Sequence, residues 1–260
     1  MRYVYTAITS LVSAILLAVL GDLGSISLFT VLLGLAFGIV TALQSVFYLK
    51  AFEIGPFSYT TVIVTLSTII PTLSGCIFWD EKISIPQIIG IILMVVCMIL
   101  SVDFGTDRLG SVRWLIYTLI AFLATGIIGV FQKWHQSTEY SSELDVFLVI
   151  AFAVSFLFSL GAAFVTGGIR GTVRDVGAEL SAKRLLLIVI SGACVAVNNK
   201  INLYLSGVMD SAVFFPVVNG GGLLLNAIAS VVVFREHLGV KKWVGIGIGI
   251  LALLLLIIKF

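Results

Sequence analysis

Residues 78–91, FWDEKISIPQIIGI, recur in outline as residues 233–246, VFREHLGVKKWVGI. In each, an aromatic residue closes an apolar run, a glutamate sits in a short polar turn, and a second apolar run carrying a glycine follows. Glu81 pairs with Glu236 and Gly90 with Gly245 at the same offset, 155 residues. Working outward from these turns, apolar runs bounded by charges or turn residues predict nine helices, at about 3–20, 26–49, 57–78, 84–102, 113–134, 144–166, 184–207, 211–234 and 240–259. The matched turns lie five helices apart, and an odd separation inverts the second copy across a membrane, which is the plan of many secondary transporters.

The composition says why the surrounding medium must be lipid. Hydrophobic residues make up 60% of the chain and charged ones 11%, with mean hydropathy +1.20, whereas a soluble domain carries roughly 25% charged residues. The apolar runs are about 20 residues long, enough to cross a ~30 Å hydrocarbon slab as helix. The joints are short and hold breakers or charges, such as Gly21-Asp22, Gly55-Pro56 and Asp80-Glu81-Lys82, so consecutive helices should be antiparallel neighbours. The longest joint, residues 167–183, predicts a short amphipathic helix at the membrane surface. A net charge of +2 supplies no dense basic face for nucleic acid. Cys76, Cys97 and Cys194 lie inside apolar runs without metal-ligand spacing and read as small packing residues. The first apolar run is long for a secretory leader and lacks an A-x-A-like cleavage site, so it is read as a spanning helix.

The segments YLKAFEIGPFSYTTVIVTLSTIIPTLSGCIFWDEKISIPQIIGIIL and NLYLSGVMDSAVFFPVVNGGGLLLNAIASVVVFREHLGVKKWVGIGIGIL resemble the two EamA-type repeats of the drug/metabolite transporter superfamily. The most specific parts are Glu81 and Glu236, the Gln87/Gly90 and Trp243/Gly245 helices after them, and Pro71 and Pro216 in the helices before. The resemblance implies an all-α polytopic membrane fold of two inverted five-helix repeats around a central cavity with alternating access. Here the first repeat, residues 1–102, has four predicted helices and the second, 113–260, has five. The family's first helix is the missing one, either because the start codon is set too late, the favoured explanation, or because this is a natural nine-helix form whose cavity lacks one wall. Counting charges over nine helices places Arg2, Lys50, Arg108, Arg113, Arg170, Arg174, Lys183, Arg184, Arg235, Lys241 and Lys242 on one side, and Lys82, Lys133 and Lys259 on the other. That is 11 against 3, with Lys200 inside a helix completing the 15, so the positive-inside rule puts residue 1 in the cytoplasm. Family members are usually drawn the other way.

Candidate site residues are polar groups inside apolar runs, because lipid-facing helices tolerate them poorly. Lys200 stands out, flanked by Asn198, Asn199 and Asn202; it is read either as a structural group, snorkelling or bonded to neighbouring helices, or as an anion-binding or proton-titrating group. The 155-residue offset pairs Asn199 with Gln44, and Thr41, Gln44 and Tyr48 share a helix face. Thr61, Thr65, Thr68 and Thr72 form one stripe, for which hydroxyls bonding back to their own turn is the plainer reading. Asn219, Asn226 and Ser230 share a side of the helix containing Pro216. The substrate-binding set is thus Gln44, Tyr48, Thr61, Thr65, Thr68, Asn198, Asn199, Lys200, Asn202, Asn219 and Asn226. Gly34-x-x-x-Gly38 and Gly245-x-Gly247-x-Gly249 are assigned to close helix packing.

All 13 acidic residues fall at predicted helix ends or in loops, which argues against the simplest drug/proton antiport and makes Glu81 and Glu236 helix-end anchors first. No Ser/His pairing, HExxH pattern or paired aspartates occurs within the spans, and His135 and His237 are read as loop residues, so enzymatic chemistry is not expected. The expected protein is a multi-pass transporter of a small metabolite or amphiphilic solute in the plasma membrane. It needs no cofactor, has the lipid bilayer and the solute as its partners, and leaves the oligomeric state open, a monomer included. The alternative is a membrane-embedded structural or assembly partner without transport.

Overall fold

The computed structural model describes residues 2–100, 111–179, 182–232 and 239–258, and among these every regular element is helical. In chain order the helices are α1 (Arg2–Leu20), α2 (Leu28–Ile54), α3 (Phe57–Thr65), α4 (Ile69–Phe78), α5 (Ile85–Leu100), α6 (Val112–Gln136), α7 (Leu144–Glu179), α8 (Ala182–Val208), α9 (Ser211–Val232) and α10 (Val240–Ile257). Six candidate spans are long and apolar enough to cross a bilayer: Tyr3–Leu20, Leu28–Ile54, Tyr59–Phe78, Val112–Gln136, Ser141–Ile169 and Arg184–Val208. The protein is therefore a helical membrane protein. Two compact units compose it, each drawing on both halves of the sequence: residues 1–46 with 131–207, and residues 47–130 with 208–260.

In the first unit α1 lies along α7. Val4, Ala7, Ala14 and Leu17 are buried on α1, and Phe147, Leu148, Ala151 and Ala163 on α7. Between lipid-soluble helices burial gains little by itself, so tight contact and interhelical hydrogen bonds must hold them. Both are present. Gly38 of α2 lies so close to α7 that a Cβ there would meet the Ala151 carbonyl and Val154 at 2.7 Å. The hydroxyl of Ser13 donates to the Gly192 carbonyl of α8 at 2.9 Å, and that of Tyr5 to Ser191 at 3.0 Å. The Gly34-x-x-x-Gly38 motif thus does the packing assigned to it.

In the second unit α5 packs along α10 around Met94, Ala252 and Leu256, and Cys97, Leu224 and Ile246 form a neighbouring cluster. A Cβ on Gly249 would meet the Cys97 sulfur at 2.6 Å, whereas one on Gly247 would meet nothing. Only part of that glycine motif therefore brings helices together. The buried indole of Trp114 on α6 donates to Thr60 Oγ1 on α3 at 2.7 Å, satisfying a polar group that lipid could not.

Three expectations change. The predicted helix 57–78 is two helices, α3 and α4, joined by a 3-10 turn at Leu66–Thr68. Pro71 explains the break: it has no N–H for the Ser67 carbonyl, and its ring crowds that carbonyl. Secondly, α2 continues past residue 49 to Ile54, because Lys50 and Glu53 sit at a helix end where their heads can reach water. Thirdly, His135 is not in a loop; it belongs to the last turn of α6 and is wholly buried. At the long joint, α7 is two helical pieces meeting at Gly168, whose φ of 65° and ψ of 174° suit glycine alone, so residues 169–179 do form a helix of their own. Residues 233–238, with Glu236 and His237, and the side chain of Asn226 lie outside the described residues.

Candidate functional site

Each unit holds a polar constellation built by a different local device. In the second unit the device is the broken span. Thr65 and Thr72 bond back to the carbonyls of Thr61 and Thr68, at 2.8 and 2.7 Å, which is the plainer of the two readings for a threonine stripe. Thr68, at the end of the 3-10 turn, behaves differently: its hydroxyl accepts the amide of Asn219 from α9 at 3.0 Å, while that amide also donates to the Phe215 carbonyl at 3.0 Å. Thr68 is buried and Asn219 is exposed, and Asn219 lies inside a helix of mainly apolar residues. Tyr48, whose ring is tilted against that of Phe52 with centroids 4.3 Å apart, is hydrogen-bonded to Thr61. Thus two pairs, Tyr48 with Thr61 and Asn219 with Thr68, are bonded along the α3–α4 stripe of one unit, and Thr65 lies between them bonded to its own turn.

The turn after this span is tied to the start of α9. The Glu81 carboxylate accepts the backbone N–H of Ser211 at 2.7 Å and the Ser211 hydroxyl at 3.2 Å. It therefore caps the first turn of α9, where a negative charge meets unpaired N–H groups and the positive end of the helix dipole. The anchor role expected for Glu81 is the one its geometry serves.

In the first unit the conspicuous lysine has a partner that no local pattern signals. Lys200 Nζ lies 2.8 Å from Asp145 Oδ1 and 2.9 Å from Oδ2. Asp145, in the first turn of α7, is nearly fully buried and also accepts the backbone N–H of Asp22 at 3.0 Å. The neighbouring Asn199 spends its amide on the Val195 carbonyl of its own helix at 2.9 Å, and Asn202 donates to Asn198 at 3.0 Å. Gln44 accepts the Ser45 hydroxyl at 3.4 Å. Thr41, one turn away, buries a hydroxyl with no hydrogen-bond partner among the described residues. Of the Lys200 readings, hydrogen bonding to a neighbouring helix describes its geometry directly.

Glu143, Asp145 and His135 carry the densest polar network and were not singled out from sequence. Glu143 accepts the N–H and hydroxyl of Ser27 at 2.9 and 2.7 Å; Thr30 bonds to Ser27 at 3.0 Å and to His135 Nε2 at 3.2 Å. The Phe147 ring centroid is 4.4 Å from that of the imidazole, and Tyr140 stacks on Phe29 at 5.7 Å. In the loop before α7, the Glu139 carboxylate beside Tyr140 holds its phenol above the usual range, first through their hydrogen bond and then by charge repulsion. A signal was available: Ser141-Ser142-Glu143-Leu144-Asp145 places two acids where a helix start favours them. Among the described residues no three His, Cys, Asp or Glu side chains gather as a metal-ligand set.

No protein-family model and no curated protein matches the chain. Solved structures do match. One, described only as a crystal structure of a protein, superimposes with a TM-score of 0.74 over 98% of this chain and 88% of its own, at 12% sequence identity. At that identity the likeness is one of fold alone, so this arrangement of helices is one that solved structures already contain.

Proposed function

We propose that the chain is a secondary transporter of a small polar or amphiphilic metabolite, built as two inverted EamA-type repeats and working by alternating access in the plasma membrane. The observation that carries this reading is the interrupted span at Leu66–Thr68 with the Asn219 amide bonded to Thr68. An exposed amide inside an apolar helix is costly against acyl chains and useful beside a polar space, and discontinuous spans are where transporters place their solutes.

The duplication supports the same reading. Adding 155 to the bounds of α2, 28–54, yields 183–209, one residue from those of α8. Adding it to 57–78, the extent of α3 and α4, yields 212–233 against 211–232 for α9, and α5 maps onto the start of α10 at 240. Helices that the offset makes equivalent also pack on each other, α4 with α9 and α5 with α10, as a two-fold relation between repeats would bring about.

The test is ligand-dependent stability. The purified chain is melted in the presence of a panel of amino acids, amines, nucleosides and sugars, beside Asn219→Leu and Thr68→Val. A solute that raises the midpoint of the parent and not of the variants supports the assignment. A solute that stabilises all three equally places the site elsewhere, and a panel without effect favours the structural-partner reading.

A further inference from the structure

The hydroxyls between His135 and Glu143 link a buried imidazole to a buried carboxylate, and their bonds agree with a neutral ring at one end and an ionised acid at the other. The Gln136 amide nitrogen donates to the Ser141 carbonyl at 3.3 Å and approaches His135 Nδ1 at 3.1 Å. A nitrogen that must donate to a carbonyl is an –NH2, so Nδ1 accepts its other hydrogen and the imidazole proton is on Nε2. Nε2–H then donates to Thr30 Oγ1, the Ser27 hydroxyl lies 3.0 Å from Thr30 Oγ1 and donates to the Glu143 carboxylate at 2.7 Å, and the Thr30 hydroxyl bonds to that carboxylate as well. Each hydroxyl donates once along this chain. It fits an ionised Glu143 and a neutral His135, both nearly or wholly buried.

We propose that this chain is a proton-binding site, whose occupation releases the connection between α1 and α2. An added proton has two landing atoms. On Glu143 Oε2 it removes the charge that accepts both the N–H and the hydroxyl of Ser27; on His135 Nδ1 it displaces the Gln136 amide. In the first case one proton is taken up, the carboxylate becomes a carboxylic acid, and no other bond is made or broken covalently. The residue-21-to-27 connection is held at one end by Asp145 on the Asp22 N–H and at the other by Glu143 on Ser27. Protonating Glu143 weakens the second hold, while the first, made by Asp145 in its pair with Lys200, does not involve Glu143.

The charged and titratable groups around this site are few. Asp145 of α7 and Lys200 of α8 neutralise each other, Lys133 lies buried two residues before His135 on α6, and Tyr140 and Glu139 precede Glu143. From the α1–α2 connection comes Asp22. No second histidine of the described residues takes part, since the chain has only His135 and His237. The site belongs to the first unit and the Thr68 and Asn219 pair to the second, and it does not rest on the transporter reading.

The experiment uses the full chain in lipid nanodiscs, with His237→Gln leaving His135 as the one histidine signal. Nitrogen NMR of labelled histidine should show the Nε2–H tautomer at neutral pH. Amide exchange at Ser27, corrected for its intrinsic pH dependence, should speed up about tenfold on acidification, the loss of a charge-assisted bond. Its midpoint should coincide with protonation of the Glu143 carboxyl, followed by its carbon shift and assigned by Glu143→Gln. Thr30→Val, which interrupts the hydroxyl chain and keeps the carboxylate, should alter the His135 signal and leave the Ser27 exchange step in place. An Nδ1–H tautomer at neutral pH, or Ser27 protection unchanged across the carboxyl titration, would overturn the proposal.

Discussion

Lys200→Met should cost the protein about 2 kcal/mol, and the cost should largely vanish when Asp145 is neutralised as well. The two ends of the pair differ: the Asp145 side chain is 4% exposed and that of Lys200 41%. Breaking a fully buried pair costs ~3–5 kcal/mol, because one charge is left without compensation, while an exposed pair is worth ~0–1 kcal/mol. With the carboxylate inside and the ammonium partly out, an intermediate value follows. Asp145→Asn keeps an acceptor for the Asp22 N–H, so its own loss should be smaller, about 1 kcal/mol. In Lys200→Met/Asp145→Asn no charge remains stranded, and the total should fall below the sum of the single losses by ~1 kcal/mol or more. Reversible unfolding in mixed micelles, titrated with a denaturing detergent, measures all four corners of the cycle. Strict additivity of the two single losses would refute the reasoning, since it would mean that the ammonium and carboxylate do not sense each other.

Other consequences are direct. Gly38→Leu should lower the melting midpoint sharply, by the equivalent of ~2–3 kcal/mol, because its first added carbon meets the Ala151 carbonyl and Val154 at 2.7 Å; Gly247→Leu, where a Cβ meets nothing, should be nearly silent. Glu81→Gln should cost ~1–2 kcal/mol and speed amide exchange at Ser211, whose N–H the carboxylate holds at 2.7 Å. Trp114→Phe should cost about 1 kcal/mol, since the buried Thr60 hydroxyl loses the indole donor at 2.7 Å.

How far the sequence could be read depended on whether a feature was local. The helices were legible because length and apolarity act within one segment, and Gly34 and Gly38 because their spacing alone puts them on one face. The break at Leu66–Thr68 was visible in principle through Pro71, but a continuous run of apolar residues and threonines outweighed a single missing N–H. Lys200 could be recognised as a costly group, whereas its partner could not: Asp145 is 55 residues away and looks like an ordinary helix-start acid. The hydroxyl chain was harder still, since Ser27, Thr30, His135 and Glu143 come from three separate stretches and none is unusual alone. Helix-end residues were read as loop because a charge or a histidine marks where an apolar run stops, and a helix can continue for another turn beyond it, as α6 does through Gln136.

Flux in proteoliposomes decides whether the polar pair at the interrupted span serves a passing solute. With the solute that stabilises the purified chain, the parent should carry gradient-driven uptake above empty vesicles. Asn219→Leu, reconstituted to the same density with its helicity intact, should carry about tenfold less, the worth of one lost hydrogen bond to the solute. Equal flux through the parent and Asn219→Leu, or none above empty vesicles for any solute of the panel, would contradict that role.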